Sequence, residues 1–421
     1  MHLKSFIKNS SIIFASTLIG GVFSFAFHPF VARFISLRDF AELQALLSLS
    51  SILGVPAATL GFIITRYISK FYAHHDFVKI KQLAVYFSKK ALGGGLILFI
   101  LFLLASPWIA DYLKIDSFAL MAMTGLIMAI GLIGGIFGPM FQGMQKFMAL
   151  GVLGIVGALA RFAFGVGLVL LFKNIYGALG GILIAGILSV LIAFGMIRNS
   201  LKNIDITSAS EAFAVKDYRY YLHTFFIALF LVAFPSLDIL LVKNIFTIEV
   251  AGLYAAAAIL AKAVIVAASA LEGVMFPVVI AKHEKKDDFL IFFLKSSGIL
   301  LLGLLFSVGL FYKFGEVFIL LMGSKYALAG PYLWQIGIFA SLFALINYLV
   351  KFLLAIKKTG VVYLLAVGSA LQIALGYRFS GNLHEFIRGM SYAMLVTLVL
   401  LVAYCVKNKK TLLVQHPLRR E

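Results

Sequence analysis

Across 421 residues there is one cysteine, Cys405, and only 13% of the side chains are charged. A lone cysteine excludes an intramolecular disulfide and any cysteine-based metal cluster. Charge at about half the roughly 25% usual in soluble domains leaves too little polar surface to keep a chain of this size in water. Acid is the scarcer sign, with 17 Asp and Glu against 36 Lys and Arg, and there are only eight prolines and two tryptophans. What the chain has instead is apolar: 62% of its residues, with a mean hydropathy of +1.05.

A bilayer-spanning helix needs about 20 predominantly apolar residues. Runs of that size occur at 10–30, 40–65, 91–109, 118–137, 148–172, 176–196, 221–242, 250–280, 289–311, 331–356, 361–377 and 390–406. They predict an all-α polytopic membrane protein of about 12 transmembrane helices. The first run is longer than the apolar core of a signal peptide and lacks a small-residue cleavage site, so it is read as a retained helix.

The formal charge of +19 raises the question of nucleic acid, and the placement of the charge answers it. Between the predicted spans, 23 Lys and Arg lie on the side of the N-terminus and nine on the other, while Arg161, Lys262, Lys295 and Lys351 fall within spans. The positive-inside rule then puts both termini in the cytoplasm, and the basic excess meets anionic lipid headgroups. No soluble segment remains to carry nucleic-acid binding.

The chain repeats itself at half its length. Shifted by 210 residues, VARFISLRDFAELQA (31–45) lies over LVKNIFTIEVAGLYA (241–255), so that Ile35, Ala41, Leu43 and Ala45 meet Ile245, Ala251, Leu253 and Ala255. Arg33 meets Lys243 and Asp39 meets Glu249. A shift of 212 sets QK at 145–146 over KK at 357–358. Six spans per half return the chain to its starting side, which predicts parallel repeats: two six-helix bundles, 1–205 and 206–421, related by a pseudo-two-fold axis along the membrane normal, with a central cavity between them and a linker at 197–220. Glycine runs at 131–138 and 177–186 predict close helix packing. Pro56, Pro235 and Pro277 predict bends or hinges.

Ionisable groups inside a bilayer usually face a bundle interior or a water-filled path. Lys295 and Lys351 lie near a span end and are expected to snorkel to the interface. Lys262 and Arg161 lie too deep for that. Asp238, within AFPSLDILLVKNIF, is five residues from Lys243 and so about 140° around the helix from it. It is expected to pair across helices, with Lys262 or Arg33, or to take a coupling proton or sodium ion. Glu272, ten residues beyond Lys262, has the same two readings: ion coupling or a structural ion pair.

The residues Asp238–Val242 followed by AGLYA, FQGMQKF (141–147) and ARFISLRDFAEL (32–43) resemble polysaccharide-biosynthesis flippases of the Wzx type, in the multidrug/oligosaccharidyl-lipid/polysaccharide exporter superfamily. The resemblance extends over the whole chain and its six-plus-six layout. It implies a transporter, not an enzyme, of the bacterial inner membrane. Its cargo would be an undecaprenyl-pyrophosphate-linked oligosaccharide, such as an O-antigen, lipopolysaccharide or capsule repeat unit, moved from the cytoplasmic to the periplasmic leaflet by alternating access. Glycan polymerase machinery is the implied partner, and no cofactor beyond a coupling H+ or Na+ is implied. Lys262, Lys243, Arg33 and Arg66 would neutralise the pyrophosphate, and Tyr254 would stack on sugars. In this family the helix carrying Arg161 is peripheral to the cavity. Lipid II flippases carry arginine late in the first helix where this chain has His28, which argues against a peptidoglycan precursor.

The alternative on the same fold is an ion-coupled multidrug or metabolite antiporter, for which a more acidic interior is expected. A polymerase or acyltransferase would need a long outward loop or an intramembrane His/Asp constellation. The longest outward connections read from the sequence follow Phe311 and Tyr377, and His384 is alone in its loop. Reporter fusions at Glu421 and within 378–388 are expected to report opposite sides of the membrane; the same side would overturn the span count.

Overall fold

The computed structural model describes residues 3–202, 204, 218–284, 289–356 and 358–407. Its elements are α1 (Leu3–Phe34), α2 (Leu37–Leu53), α3 (Val55–Ala73), α4 (Phe77–Leu113), α5 (Phe118–Gly134), α6 (Phe137–Gly143), α7 (Phe147–Phe172), α8 (Ile175–Ser200), α9 (Tyr218–Ile245), α10 (Ile248–Glu284), α11 (Leu290–Ile319), α12 (Leu333–Ala355), α13 (Val362–Arg378) and α14 (Leu383–Lys407). A 3₁₀ turn (Ser324–Tyr332) precedes α12 and another (Thr359–Val361) precedes α13. Among the described residues, twelve segments are long and apolar enough to cross a membrane, as the sequence predicts. The chain is a multi-pass membrane protein.

Polar side chains set the helix starts. Ser36, Ser117 and Asn174 accept the backbone N–H of Asp39, Leu120 and Gly177 at 3.0, 3.3 and 3.1 Å, which satisfies donors a helix start leaves open. Lys114 and Lys173 end α4 and α7 in the left-handed region, with φ of 53° and 51°. The crossing 37–73 is broken at Gly54, and Pro56 restarts it in the first turn of α3, where its missing N–H costs nothing. The glycine run 131–138 breaks the fourth crossing between α5 and α6. α11 bends at Phe314 and continues to Ile319, so the outward loop expected after Phe311 is helical instead. The connection after Tyr377 shortens to 379–382, because α14 begins at Leu383.

Two compact units divide the chain, Met1–Tyr218 and Arg219–Glu421. The expected boundary at 205/206 and most of the expected linker lie outside the described residues, and α8 runs on to Ser200. Each unit contains six crossings with matching packing. In the N-terminal unit α5 lies against α4, α8 and α2; in the C-terminal unit its counterpart α12 lies against α11, α14 and α10. Likewise α7 packs on α8 as α13 packs on α14. Arg33 and Lys243 both stand in the last turn of their helices, and Asp39 and Glu249 both in the first turn of the next. The 210-residue repeat is thus visible inside each unit.

The sequence GALGGILIAG meets its expected use in α8. At Gly181 an added Cβ would lie 2.3 Å from Gly165 Cα, and at Gly177 2.7 Å from the Leu168 carbonyl oxygen, so backbones touch where side chains would separate them. Outward-facing aliphatics such as Leu104, Leu302 and Phe306 remain 64–69% exposed, as a lipid-facing surface requires. Gly181→Ala must displace backbone, and is expected to lower stability by about 1–3 kcal/mol. Gly167→Ala, where a Cβ meets nothing within 4 Å, is expected to be neutral or slightly stabilising. Thermal unfolding of the purified variants checks the contrast; equal effects would refute the backbone contact.

Candidate substrate and coupling site

The most polar stretch of the C-terminal unit's interior is built on α9 around Pro235. Pro235 and Asp238 are three residues apart, so they face the same way on the helix. A single ammonium on α10 answers both. Lys262 Nζ donates to the Pro235 carbonyl at 2.7 Å and lies 2.9 and 2.8 Å from the two Asp238 carboxylate oxygens. Tyr254, two turns earlier on α10, donates its hydroxyl to Asp238 Oδ2 at 2.7 Å. The Asp238 side chain is fully buried, and 13% of the Lys262 side chain is accessible. One residue before Pro235, the Phe234 carbonyl accepts from the Gln372 amide of α13 at 2.9 Å. The Phe234 and Pro235 carbonyls and the Asp238 carboxylate thus all receive donors from neighbouring helices, as burial in hydrocarbon favours.

A second cluster joins α10 to α12. Glu272 is buried, with Lys351 Nζ 2.5 Å from Oε2 and the Asn347 amide donating to both carboxylate oxygens at 2.9 and 3.1 Å. Asn347 and Lys351 are spaced i, i+4 and so project from one face of α12. Next to them, Tyr348 donates to Ser296 Oγ on α11 at 2.6 Å. Glu272 is about 15 Å along α10 from Lys262, so the two clusters occupy different depths.

The structure thus brings Asp238, Lys262 and Tyr254 together and sets Glu272 apart with Lys351. Two expectations are corrected here. Lys351 does not snorkel, because a buried carboxylate lies within its reach. Tyr254 has no face to offer a sugar: it is 1% exposed, its hydroxyl is held by Asp238 and its ring packs edge-on against Phe386. Lys243 is buried in the last turn of α9 rather than at a solvated edge. Arg33 and Arg66 are exposed residues of the N-terminal unit, and Lys295 is exposed on α11. Sequence reasoning missed Gln372 and Asn347, although an amide within an apolar span is a signal of interhelical bonding.

The N-terminal unit has a counterpart to this site. The Gln44 amide donates to His28 Nδ1 at 3.0 Å, joining α1 to α2. A shift of 210 carries His28 to Asp238 and Gln44 to Tyr254, so the same hydrogen bond is made at the same place in both repeats, once between neutral groups and once with a charge. Arg161 of α7 lies against this layer, its guanidinium 4.7 Å from the centre of the Phe27 ring.

A buried ion pair is costly to break from one side. Lys262→Met alone is expected to lower stability by about 3–5 kcal/mol, and adding Asp238→Asn to recover most of that loss. Unfolding midpoints of both single variants and the double variant give the coupling; additive losses would show that the pair is not coupled.

A family described as polysaccharide biosynthesis protein matches residues 6–283. The chain is similar in structure to an inward-facing multidrug resistance MATE family transporter of the MOP superfamily, with a TM-score of 0.77 and 14% identity over 96% of this chain and 99% of that one. It is also similar to the lipid II flippase MurJ in an inward closed conformation, with a TM-score of 0.65 and 17% identity over 95% and 87%. An outward-facing MATE family transporter of the MOP superfamily gives a TM-score of 0.59 and 13% identity over 96% of each chain. No curated protein matches significantly.

Proposed function

Because the chain belongs to the polysaccharide biosynthesis protein family and has the fold of MOP-superfamily transporters, we propose that it is a Wzx-type flippase. Its cargo is an undecaprenyl-pyrophosphate-linked oligosaccharide, carried from the cytoplasmic to the periplasmic leaflet of the bacterial inner membrane by alternating access, with both termini cytoplasmic. The observation that carries this reading is the Lys262 ammonium, held deep within a span by a carboxylate that can be neutralised. Desolvating a pyrophosphate requires cations close by, and transport requires that they bind and let go. Protonation of Asp238, or sodium taken up beside it, loosens Lys262 and frees it for the cargo's phosphate; deprotonation takes it back. Lys243, Arg33 and Arg66 supply further positive charge. Glu272, with Lys351 and Asn347 both bound to it, serves as a structural staple. The work requires neither a nucleophile nor a metal.

The multidrug antiporter reading is the second one, favoured by the fold shared with multidrug resistance MATE family transporters. It needs carboxylates ready to receive a cationic substrate. Here the buried carboxylates among the described residues, Glu42, Asp238 and Glu272, are already paired with Arg38, Lys262 and Lys351, which favours an anionic cargo.

The double variant Asp238→Asn/Lys262→Met is expected to accumulate in the membrane at near-normal level and to lose glycan display by at least tenfold. Glu272→Gln/Lys351→Met is expected to keep display within about twofold of normal, as about 0.4 kcal/mol at most. Surface glycan and membrane protein level, measured together in the cell that makes the glycan, decide the matter. Normal display in the first double variant would remove Lys262 from the transport path.

A further inference from the structure

Arg161 is the deep cation that the proposed transport cycle does not use. It stands 14 residues after the start of α7 and 11 before its end, about 21 and 16 Å along the helix, beyond reach of either interface. Its Nε is buried with no hydrogen-bond partner, and among the described residues no carboxylate lies within ion-pair distance of it. The face of Phe27 accommodates the guanidinium, but an aromatic ring carries no net charge to balance it. A guanidinium in hydrocarbon without a counter-charge points to a ligand that brings one.

A cavity of about 410 Å³ adjoins it, lined by α5, α7 and α8 of the N-terminal unit. That volume lies within the range of small-molecule sites, roughly 300–1,000 Å³. The Gly165–Gly181 contact brings α7 and α8 together just past Arg161. On the other side of Arg161 the cavity follows α8 from Ile182 to Ala193, about 16 Å. Of its fourteen lining residues only Arg161 and Ser189 carry polar side chains; the others are aliphatic or glycine. The Ser189 hydroxyl already donates to the Ala185 carbonyl at 2.7 Å. The walls therefore offer one positive charge and otherwise only apolar contact.

We propose that this cavity binds a lipophilic organic anion: one acidic group, paired with the Arg161 guanidinium, on an apolar body lying between α5, α7 and α8. A glycan is excluded because its hydroxyls would find no hydrogen-bond partners there. A pyrophosphate is excluded because one guanidinium leaves most of its charge unbalanced. The site is therefore separate from the cargo site proposed above and does not depend on that reading.

The probe is radiolabelled dodecanoate, offered to the purified full chain in lipid nanodiscs, with empty nanodiscs as the blank. Saturable binding near one molecule per chain is expected, with dodecanol unable to displace it at concentrations where unlabelled dodecanoate does. Arg161→Gln should weaken binding at least tenfold and Arg161→Lys should retain part of it. Gly131→Phe provides the test that leaves the arginine in place: Gly131 lines the cavity, is exposed, and a Cβ there meets nothing within 4 Å, so the ring enters open space and should abolish binding while the unfolding temperature holds. Displacement by 2-naphthoate would extend the ligand class to exogenous aromatic acids. Its failure would confine the class to chain acids drawn from the bilayer, and both results support the site. Absence of saturable binding over the blank, equal displacement by dodecanol, or unchanged binding in both Arg161→Gln and Gly131→Phe would overturn the proposal.

Discussion

At mid-span no water is at hand, so whatever a carboxylate would have drawn from solvent must come from neighbouring helices. The surroundings of Asp238 follow from this constraint. Lys262 supplies charge and hydrogen bonds, Tyr254 a further donor, and in satisfying Asp238 they fix α9 against α10. Gln372 ties the same turn of α9 to α13, and Glu272 ties α10 to α12. Three of the interhelical attachments of the C-terminal unit thus converge on α9 and α10, and they are polar. Apolar packing cannot supply such direction, because lipid tails compete for it equally.

The N-terminal unit meets the same constraint by other means. Its corresponding hydrogen bond, between His28 and Gln44, contains no carboxylate, and close backbone contact at Gly165 and Gly181 does part of the joining. One duplicated scaffold thus carries two chemistries. The hydrogen bond across the first two crossings persists in both halves, while at this place a carboxylate with its own lysine stands in the C-terminal half.

Much of this was legible before any coordinates. Span number followed from apolar runs, because a run of that length has no other stable environment, and the repeat followed from Arg33 over Lys243 and Asp39 over Glu249, which the structure places at matching helix ends. Extended three residues back, the alignment that sets Gln44 over Tyr254 also sets His28 over Asp238, so the paired hydrogen bonds are within reach of sequence. Other features were not. Whether Lys351 would extend to an interface or turn to Glu272 depends on the rotation of α10 and α12, which hydropathy does not encode. Tyr254 was misjudged for the same reason: an aromatic ring suited to a sugar is equally suited to a core, and only the neighbouring carboxylate and Phe386 decide between them. The breaks at Gly54 and at Gly135–Ile136 lie within unbroken apolar runs, so hydropathy passes over them.

The Asp238–Lys262 pair sums to zero charge, and this has an electrical consequence. A membrane potential does work on net charge, about 2.3 kcal/mol per elementary charge for each 100 mV crossed, so the intact pair can shift along the field with almost no work done on it. Neutralising either partner leaves one uncompensated charge at mid-span, and the same displacement then becomes voltage-dependent. The pair itself thus adds nothing to the unit's response to the potential, and either of its charges standing alone would.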